Sequence, residues 1–182
     1  MGDPPKLRNK YERPRRLWDS ERIAHDGAVK KEYGLKNMRE LWIADSALRR
    51  SRREARRLLS VSESERKNDE KKIITKLVKL GVLKEGSALD DILGLKVRDL
   101  LERRLQTLVM RKGLAKTVMQ SRQLITHGFI TVEGRRIHAP GYLVKTSEEP
   151  TLGYSKPIDL SVKAPVESKP EAAAAAGEAK TA

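Results

Sequence analysis

Residues 104–144 read RLQTLVMRKGLAKTVMQSRQLITHGFITVEGRRIHAPGYLV, and the order of elements in this stretch decides the fold class. Val97, Leu101, Leu105 and Leu108 recur at helical spacing, which predicts one helix over 95–112 with Gly113 as its left-handed stop. Thr117-Val118-Met119-Gln120 is a capping box, a hydroxyl followed three residues later by an amide. It opens a second helix that runs to His127 and closes at Gly128. The period then changes. Residues 129–132 are a strand, Glu133-Gly134 is a two-residue turn, and 135–137 return as a second strand. His138-Ala139-Pro140-Gly141 interrupts that strand, and 142–144 read as a third. Leu105, Leu108, Leu124, Ile125 and Ile130 are the expected core. The fold class is α+β, with two helices against a short twisted antiparallel sheet.

Working outward, the half before this module is helical. Asn37-Met38-Arg39-Glu40 is a cap signature, and no Pro or Gly follows until Gly81, which predicts a long helix over 38–59. On a helical wheel Arg49, Arg50, Arg52, Arg53, Arg56 and Arg57 fall within about 160° of one another. Leu41, Ala44, Ala47, Leu48, Ala55, Leu58 and Leu59 occupy the other arc, and Trp42 lands among the arginines. Like charges at i,i+4 repel by a few tenths of a kcal/mol per pair, and Glu54 is the acid inside the cluster. A merely solvated face mixes signs. This one presents guanidinium forks suited to phosphate oxygens. Ser62-Glu63-Ser64-Glu65 opens a further helix with Ile73, Ile74, Leu77, Val78 and Leu80 on its buried side, ended by Gly81. Ser87-Ala88-Leu89-Asp90 starts a short one ended by Gly94.

Charge names the class of partner. The 182 residues carry 39 Lys plus Arg against 25 Asp plus Glu, net +14, and the pI is near 10.1. Segments 1–60 and 101–145 hold net charges of +8 and +7, while 61–100 holds +1 and 146–182 holds −2. Two basic blocks around a neutral spacer fit one polyanion gripped at two surfaces. The absence of cysteine removes disulfides, thiolate metal sites and a Cys nucleophile, and indicates a reducing cytosol. No apolar run is long enough for a membrane span, and 1–16 show no secretory signal. The organisation read from these shifts is a basic arm and lead-in over 1–36, a helical domain over 37–100, the α+β module over 101–160 and a disordered Ala/Glu/Lys tail over 161–182.

Several motifs at the carboxyl side carry a resemblance. They are Arg104-Leu105, Lys112-Gly113-Leu114-Ala115, Ser121-Arg122-Gln123-Leu124-Ile125, His127-Gly128, Val132-x-Gly134 and Pro140-Gly141-Tyr142-Leu143-Val144. In order and spacing this run resembles the S-four RNA-binding domain. Two positions depart from that pattern. Gln106 stands where Asp is usual, and Glu133 where the hairpin usually has Asn, a residue that adopts positive φ more easily. Glu32 to Trp42 and Arg53 to Leu59 resemble the amino-terminal half of the small-subunit ribosomal protein S-four family in its archaeal form. The bacterial members often carry a cysteine zinc knuckle, which this chain lacks. The resemblance implies a non-enzymatic constituent of the small ribosomal subunit in the cytoplasm. It would bind the 5′ domain of small-subunit rRNA, organise the subunit body during assembly and touch neighbouring ribosomal proteins.

Charge and chemistry lead to the same partner class. A-form RNA hides its major-groove edges, so a protein grips phosphates and 2′-hydroxyls and reads shape. The candidate RNA-contacting residues are Arg49, Arg50, Arg52, Arg53, Arg56 and Arg57 together with Arg103, Arg104, Arg111, Lys112, Lys116, Arg122, Gln123, His127, Arg135 and Arg136. Thr117 is expected to cap its helix rather than donate to phosphate. His25, His127 and His138 lie far apart, so no metal site or cofactor is expected. The segment Gly113 to Thr117 fails as a phosphate loop because Lys116 does not follow a second Gly, and no Gly-x-Ser-x-Gly is present. Asp90-Asp91 sits at a helix start, where the dipole favours acid. No catalytic residue, small-molecule substrate or membrane partner is expected. The alternatives are a free RNA chaperone or ribosome-associated quality-control factor built on the same domain, and a DNA binder, which no recognition motif supports.

Overall fold

Asp19 accepts a hydrogen bond from the Arg22 amide and starts α1 (Ser20–Glu32), a helix where the sequence reading had only an arm and lead-in. It escaped notice because its apolar stripe is thin, with Val29 alone fully buried. The computed structural model describes residues 2 and 9–156. The tail expected over 161–182, and residues 1 and 3–8 of the arm, lie outside the described residues.

Tyr33 closes α1, and Gly34 turns the chain with φ +56°. A side chain here would put Cβ 2.8 Å from Val118 Cγ1 and 3.1 Å from Gln106 Nε2, so glycine lets two distant segments close on each other. The Asn37 side chain then accepts from the Glu40 amide at 3.2 Å, and α2 (Met38–Leu59) runs with the bounds the caps predict. Leu41, Ala44, Leu48, Ala55 and Leu58 face inward, whereas Leu59, expected with them, is exposed. α2 is the axle of the helical half. α1, α3 (Glu63–Lys79), α4 (Leu89–Gly94) and α5 (Val97–Glu102) all pack on it.

The helix expected over 95–112 is two helices. α5 ends at Glu102 with Arg103 as its cap, and α6 (Leu105–Arg111) begins after Arg104, whose extended backbone (φ −73°, ψ 144°) breaks the run. The freed groups find partners across the module. The Leu105 amide donates to Tyr142 O at 2.8 Å, the Val144 amide donates to Arg103 O at 3.1 Å, and Thr107 Oγ1 donates to Leu101 O at 2.9 Å. Residues 142–144 therefore pair with the helix break, through the Arg104–Leu143 bridge, and do not form the third strand of the sheet. That strand comes later.

α7 (Val118–Thr126) follows, capped by Thr117 Oγ1 accepting from the Gln120 amide at 3.1 Å. β1 (Ile130–Val132) is the centre of the sheet. β2 (Arg135–Arg136) and β3 (Gly153–Tyr154) flank it antiparallel, with Thr131 opposite Arg136 and Ile130 opposite Tyr154. The architecture is α+β, mostly helical with this small antiparallel sheet.

Among the described residues, three buried clusters hold the fold. Leu48, Ala55, Leu58, Leu77, Leu89, Ile92 and Leu95 fill the helical half. Leu105, Val109, Leu124, Ile125, Ile130, Val132 and Val144 fill the carboxyl-side module. Between them, Val29, Tyr33, Leu35, Leu41 and Ala44 pack with Leu100 and Leu101, so α5 belongs to both halves. Leu101, Leu105 and Ile125 have no exposed surface, and truncating any of them to Ala costs about 2–5 kcal/mol.

Candidate nucleic-acid interface

The arginine face of α2 is exposed at Arg49, Arg50, Arg53, Arg56 and Arg57. Arg49 pairs with Asp45 one turn back at 2.8 Å, and Arg53 meets Glu12 loosely at 3.8 Å. Arg50 and Arg56 form no ion pair among the described residues. Residues 9–12 of the arm lie along this face rather than standing free of the fold. The Glu12 amide donates to Ser46 Oγ at 2.9 Å, and the Tyr11 ring sits 5.9 Å from the Trp42 ring. That contact answers the misplaced tryptophan: Trp42 is half-buried under the arm. It also lines Lys10 up beside Arg50 and Arg53 around one small cleft.

A second basic face lies on α7 and the hairpin. Gln120, Gln123 and His127 fall at i, i+3 and i+7, one helix face, and Lys116 stands just ahead of the Thr117 cap. Gln120 Oε1 accepts from the Lys116 amide at 2.8 Å, while the Lys116 ammonium and the Gln123 amide group make no hydrogen bond among the described residues. His138 Nδ1 lies 3.2 Å from Thr126 O, which holds the end of the hairpin strand beside the carboxyl end of α7. Arg135 and Arg136 on β2 are exposed, with Arg136 Nε donating to Ser155 Oγ at 3.0 Å. Arg111 is exposed while paired to Glu102 at 2.7 Å, and Lys112 donates to the Glu149 carbonyl.

Four of the expected contact residues have intramolecular work instead. Arg104 is buried, with 6% of its surface exposed, because it sits at the helix break under Gly141 and donates through Nη2 to Glu40 Oε2 at 3.0 Å. Arg122 grips the same carboxylate as a fork, Nη2 to Oε1 at 2.6 Å and Nη1 to Oε2 at 3.2 Å. Burial pushes the Glu40 carboxyl up, but the hydrogen bonds from Arg122 and Arg104 outweigh it and hold the group below the usual carboxylate range. Arg103 is largely covered and donates to Glu149 at 2.9 Å. Arg52 donates to the Leu95 carbonyl and joins α2 to the start of α5. These four arginines build the platform, and the exposed ones decorate it.

The two departures from the family pattern find local reasons. Gln106 is 1% exposed, and its amide nitrogen donates to Gly34 O at 3.0 Å and Val118 O at 3.1 Å. A carboxylate at this position has no hydrogen to give. Its Oε1 accepts from Arg122 at 3.3 Å, which ties Gln106 into the Glu40 cluster. Glu133 takes φ +51° and Gly134 φ +75°, the two positive values of a type I′ turn, so the hairpin forms despite the glutamate.

The charge pattern passes over exposed apolar side chains, among them Trp18, Met119 and Phe129. Trp18 is 93% exposed ahead of α1, where Arg22 pins the preceding carbonyls of Arg16 at 2.7 Å and Leu17 at 3.1 Å. Met119 stands out from α7, and Phe129 lies beside His127 with ring centroids 6.4 Å apart.

Comparison with known proteins agrees with this layout. The S4 domain family model matches residues 103–149, the span from the helix break past Val144 of the carboxyl-side core. The small ribosomal subunit protein uS4 of Ignicoccus hospitalis is 49% identical over 155 residues, covering 85% of this chain and 93% of the relative. That of Saccharolobus solfataricus is 48% identical over 172 residues, covering 94% and 95%. That of Methanothermobacter thermautotrophicus is 44% identical over 166 residues, covering 90% and 97%. Similarity at this level runs through both halves of the fold and nearly the whole length of each relative, and the chain belongs to the small ribosomal subunit protein uS4 family in its archaeal form.

Proposed function

We propose that this chain is a non-enzymatic structural constituent of the small ribosomal subunit. It binds the 5′ domain of small-subunit rRNA, organises the subunit body during assembly, and contacts neighbouring subunit proteins in the cytoplasm. It needs no cofactor, metal or small-molecule substrate for this. The observation that carries the reading is the pairing of two exposed basic faces, on α2 and on α7 with the hairpin, across a partly buried clasp made by Glu40, Arg104 and Arg122. Phosphate contacts supply affinity, and the fixed offset between two such faces supplies shape selection among folded RNAs. Arg49, Arg50, Arg53, Arg56 and Arg57 act on one side. Arg111, Lys112, Lys116, Gln123, His127, Arg135 and Arg136 act on the other.

Competitive binding at two salt concentrations tests this, using a 5′-domain fragment of small-subunit rRNA, a shuffled RNA of equal length and duplex DNA. A preference for the rRNA fragment that persists at the higher salt is the expected result. Equal binding to all three, collapsing together as salt rises, overturns it and favours a generic polyanion surface.

A further inference from the structure

Residues 61–100 carry 9 basic and 8 acidic side chains and read as a neutral spacer. Folding undoes that balance. Along α3, residues 63–70 hold Glu63, Glu65, Asp69 and Glu70 against Arg66 and Lys67, while residues 71–79 hold Lys71, Lys72, Lys76 and Lys79 and no acid. Lys71, Lys72, Thr75, Lys76 and Lys79 stand at i, i+1, i+4, i+5 and i+8, which is one helix face. Together with Lys145 they line an open groove of roughly 620 Å³. Lys145 comes from the other half of the chain. It is held there because the Thr146 amide and hydroxyl both donate to Lys79 O, at 2.9 and 3.2 Å.

Two of these five ammonium groups have acidic partners: Lys72 meets Asp69 at 2.8 Å and Lys145 meets Glu148 at 2.8 Å. Lys71, Lys76 and Lys79 form no ion pair among the described residues, so three positive charges stay uncompensated. The helix dipole accounts for cations in the last turn, Lys76 and Lys79. It does not account for Lys71 and Lys72 further back, nor for a lysine delivered by another element.

We propose that this groove docks the phosphate backbone of an RNA segment, as a third contact surface apart from the α2 and α7 faces. The proposal rests on the RNA-binding reading above and adds a site to it. The lining decides between RNA and an acidic protein. A protein interface is anchored by buried aromatic or arginine side chains, and this groove offers neither, with Leu80 its one large apolar residue. Lysine ammoniums are compact charges on mobile stems, suited to phosphates whose exact positions vary. The stripe from Lys72 to Lys79 extends about 10 Å along the helix axis, enough to follow successive phosphates of one strand.

The test uses the full chain and a complete archaeal small-subunit rRNA transcript. One variant carries Lys71→Gln, Lys76→Gln and Lys79→Gln. A control with equal charge loss carries Lys31→Gln, Lys36→Gln and Lys84→Gln, all exposed, outside α3 and not lining the groove. Glutamine is a good helix former, so far-UV circular dichroism should match wild type for both. The groove variant should lose one discrete patch of hydroxyl-radical protection while the remaining protections stay. Its slope of log K against log salt should fall by about two, and the control's by less than one. A specific wild-type complex whose footprint and slope are unchanged in the groove variant overturns the third surface alone. An equal effect in the control does the same. A wild-type chain that forms no specific complex overturns the functional reading itself.

Discussion

Arg122 and Glu40 lie 82 residues apart in the chain and 2.6 Å apart in the fold. That contact, with Arg104 on the other carboxylate oxygen at 3.0 Å, fixes the α+β module against the start of α2. One acid thus serves two arginines, with Gln106 accepting from Arg122 behind them. Both basic faces are anchored to the elements this cluster joins, so their spacing depends on it.

Replacing Glu40 by Gln leaves two guanidiniums without their counter-charge, one of them in the interior. The expected loss is about 2–4 kcal/mol of unfolding free energy in urea titration at neutral pH. The pH dependence has a definite sign. The folded pKa of Glu40 lies below its ordinary 4.5, so its stabilisation is complete above that value and disappears as pH falls through the folded one. The wild type should therefore lose stability below pH 4.5 more steeply than Glu40→Gln. Parallel acid limbs would show that the clasp carries no such linkage.

Buried and exposed arginines should separate in a paired experiment. Arg50→Gln, Arg56→Gln and Arg57→Gln remove exposed charges, so stability should change by less than about 1 kcal/mol while the salt slope of RNA binding falls by about two. Arg104→Gln should do the reverse, costing about 2–4 kcal/mol with little change in slope once folded protein is compared. If Arg104→Gln flattens the slope as much as the triple variant does, the assignment of Arg104 to the platform is wrong.

That separation marks how far the sequence could be read. The cap at Asn37, the arginine stripe of α2, the box at Thr117 and the period change after Gly128 are local signals, and each element they predict is present. What escaped depends on tertiary partners. Nothing within 95–112 interrupts a helix. The break at Arg103 and Arg104 appears because residues 142–144 return to take those backbone groups. The same return moves the third strand to Gly153–Tyr154. An arginine count likewise cannot tell Arg104 from Arg56, because the difference lies in Glu40, which reaches Arg104 from 64 positions away.

Tyr33 supplies an alkaline counterpart to Glu40. Burial first, then its hydrogen bond to Glu102 at 2.8 Å, pushes the phenol up from 10.0 to about 12. A raised folded pKa means that its contribution is complete below pH 10 and is lost as pH rises from 10 toward 12. The loss over that window is about 2 kcal/mol. Tyr33→Phe should cost about 1 kcal/mol at neutral pH through the lost hydrogen bond, while Glu102 keeps its pairing to Arg111. The variant lacks this alkaline limb, so the two stability curves should converge or cross above pH 11 or so. A constant offset between them up to pH 12 would contradict the assignment.

The hairpin offers a gain of stability. Glu133 sits at φ +51° in the first central position of the turn, where an L side chain with a long stem is strained and Asn is at ease. Its amide donates to Thr151 Oγ1 at 3.2 Å, a backbone contact that any side chain preserves. Glu133→Asn should therefore raise stability by about 0.5–1 kcal/mol, read as a higher urea midpoint at unchanged m value. Glu133→Val should lower it by 1 kcal/mol or so, since a branched Cβ resists the left-handed region. The two substitutions remove the same charge, so opposite signs isolate the backbone effect. Shifts in the same direction would mean that the carboxylate beside Arg135, and not the turn geometry, sets the stability of this hairpin.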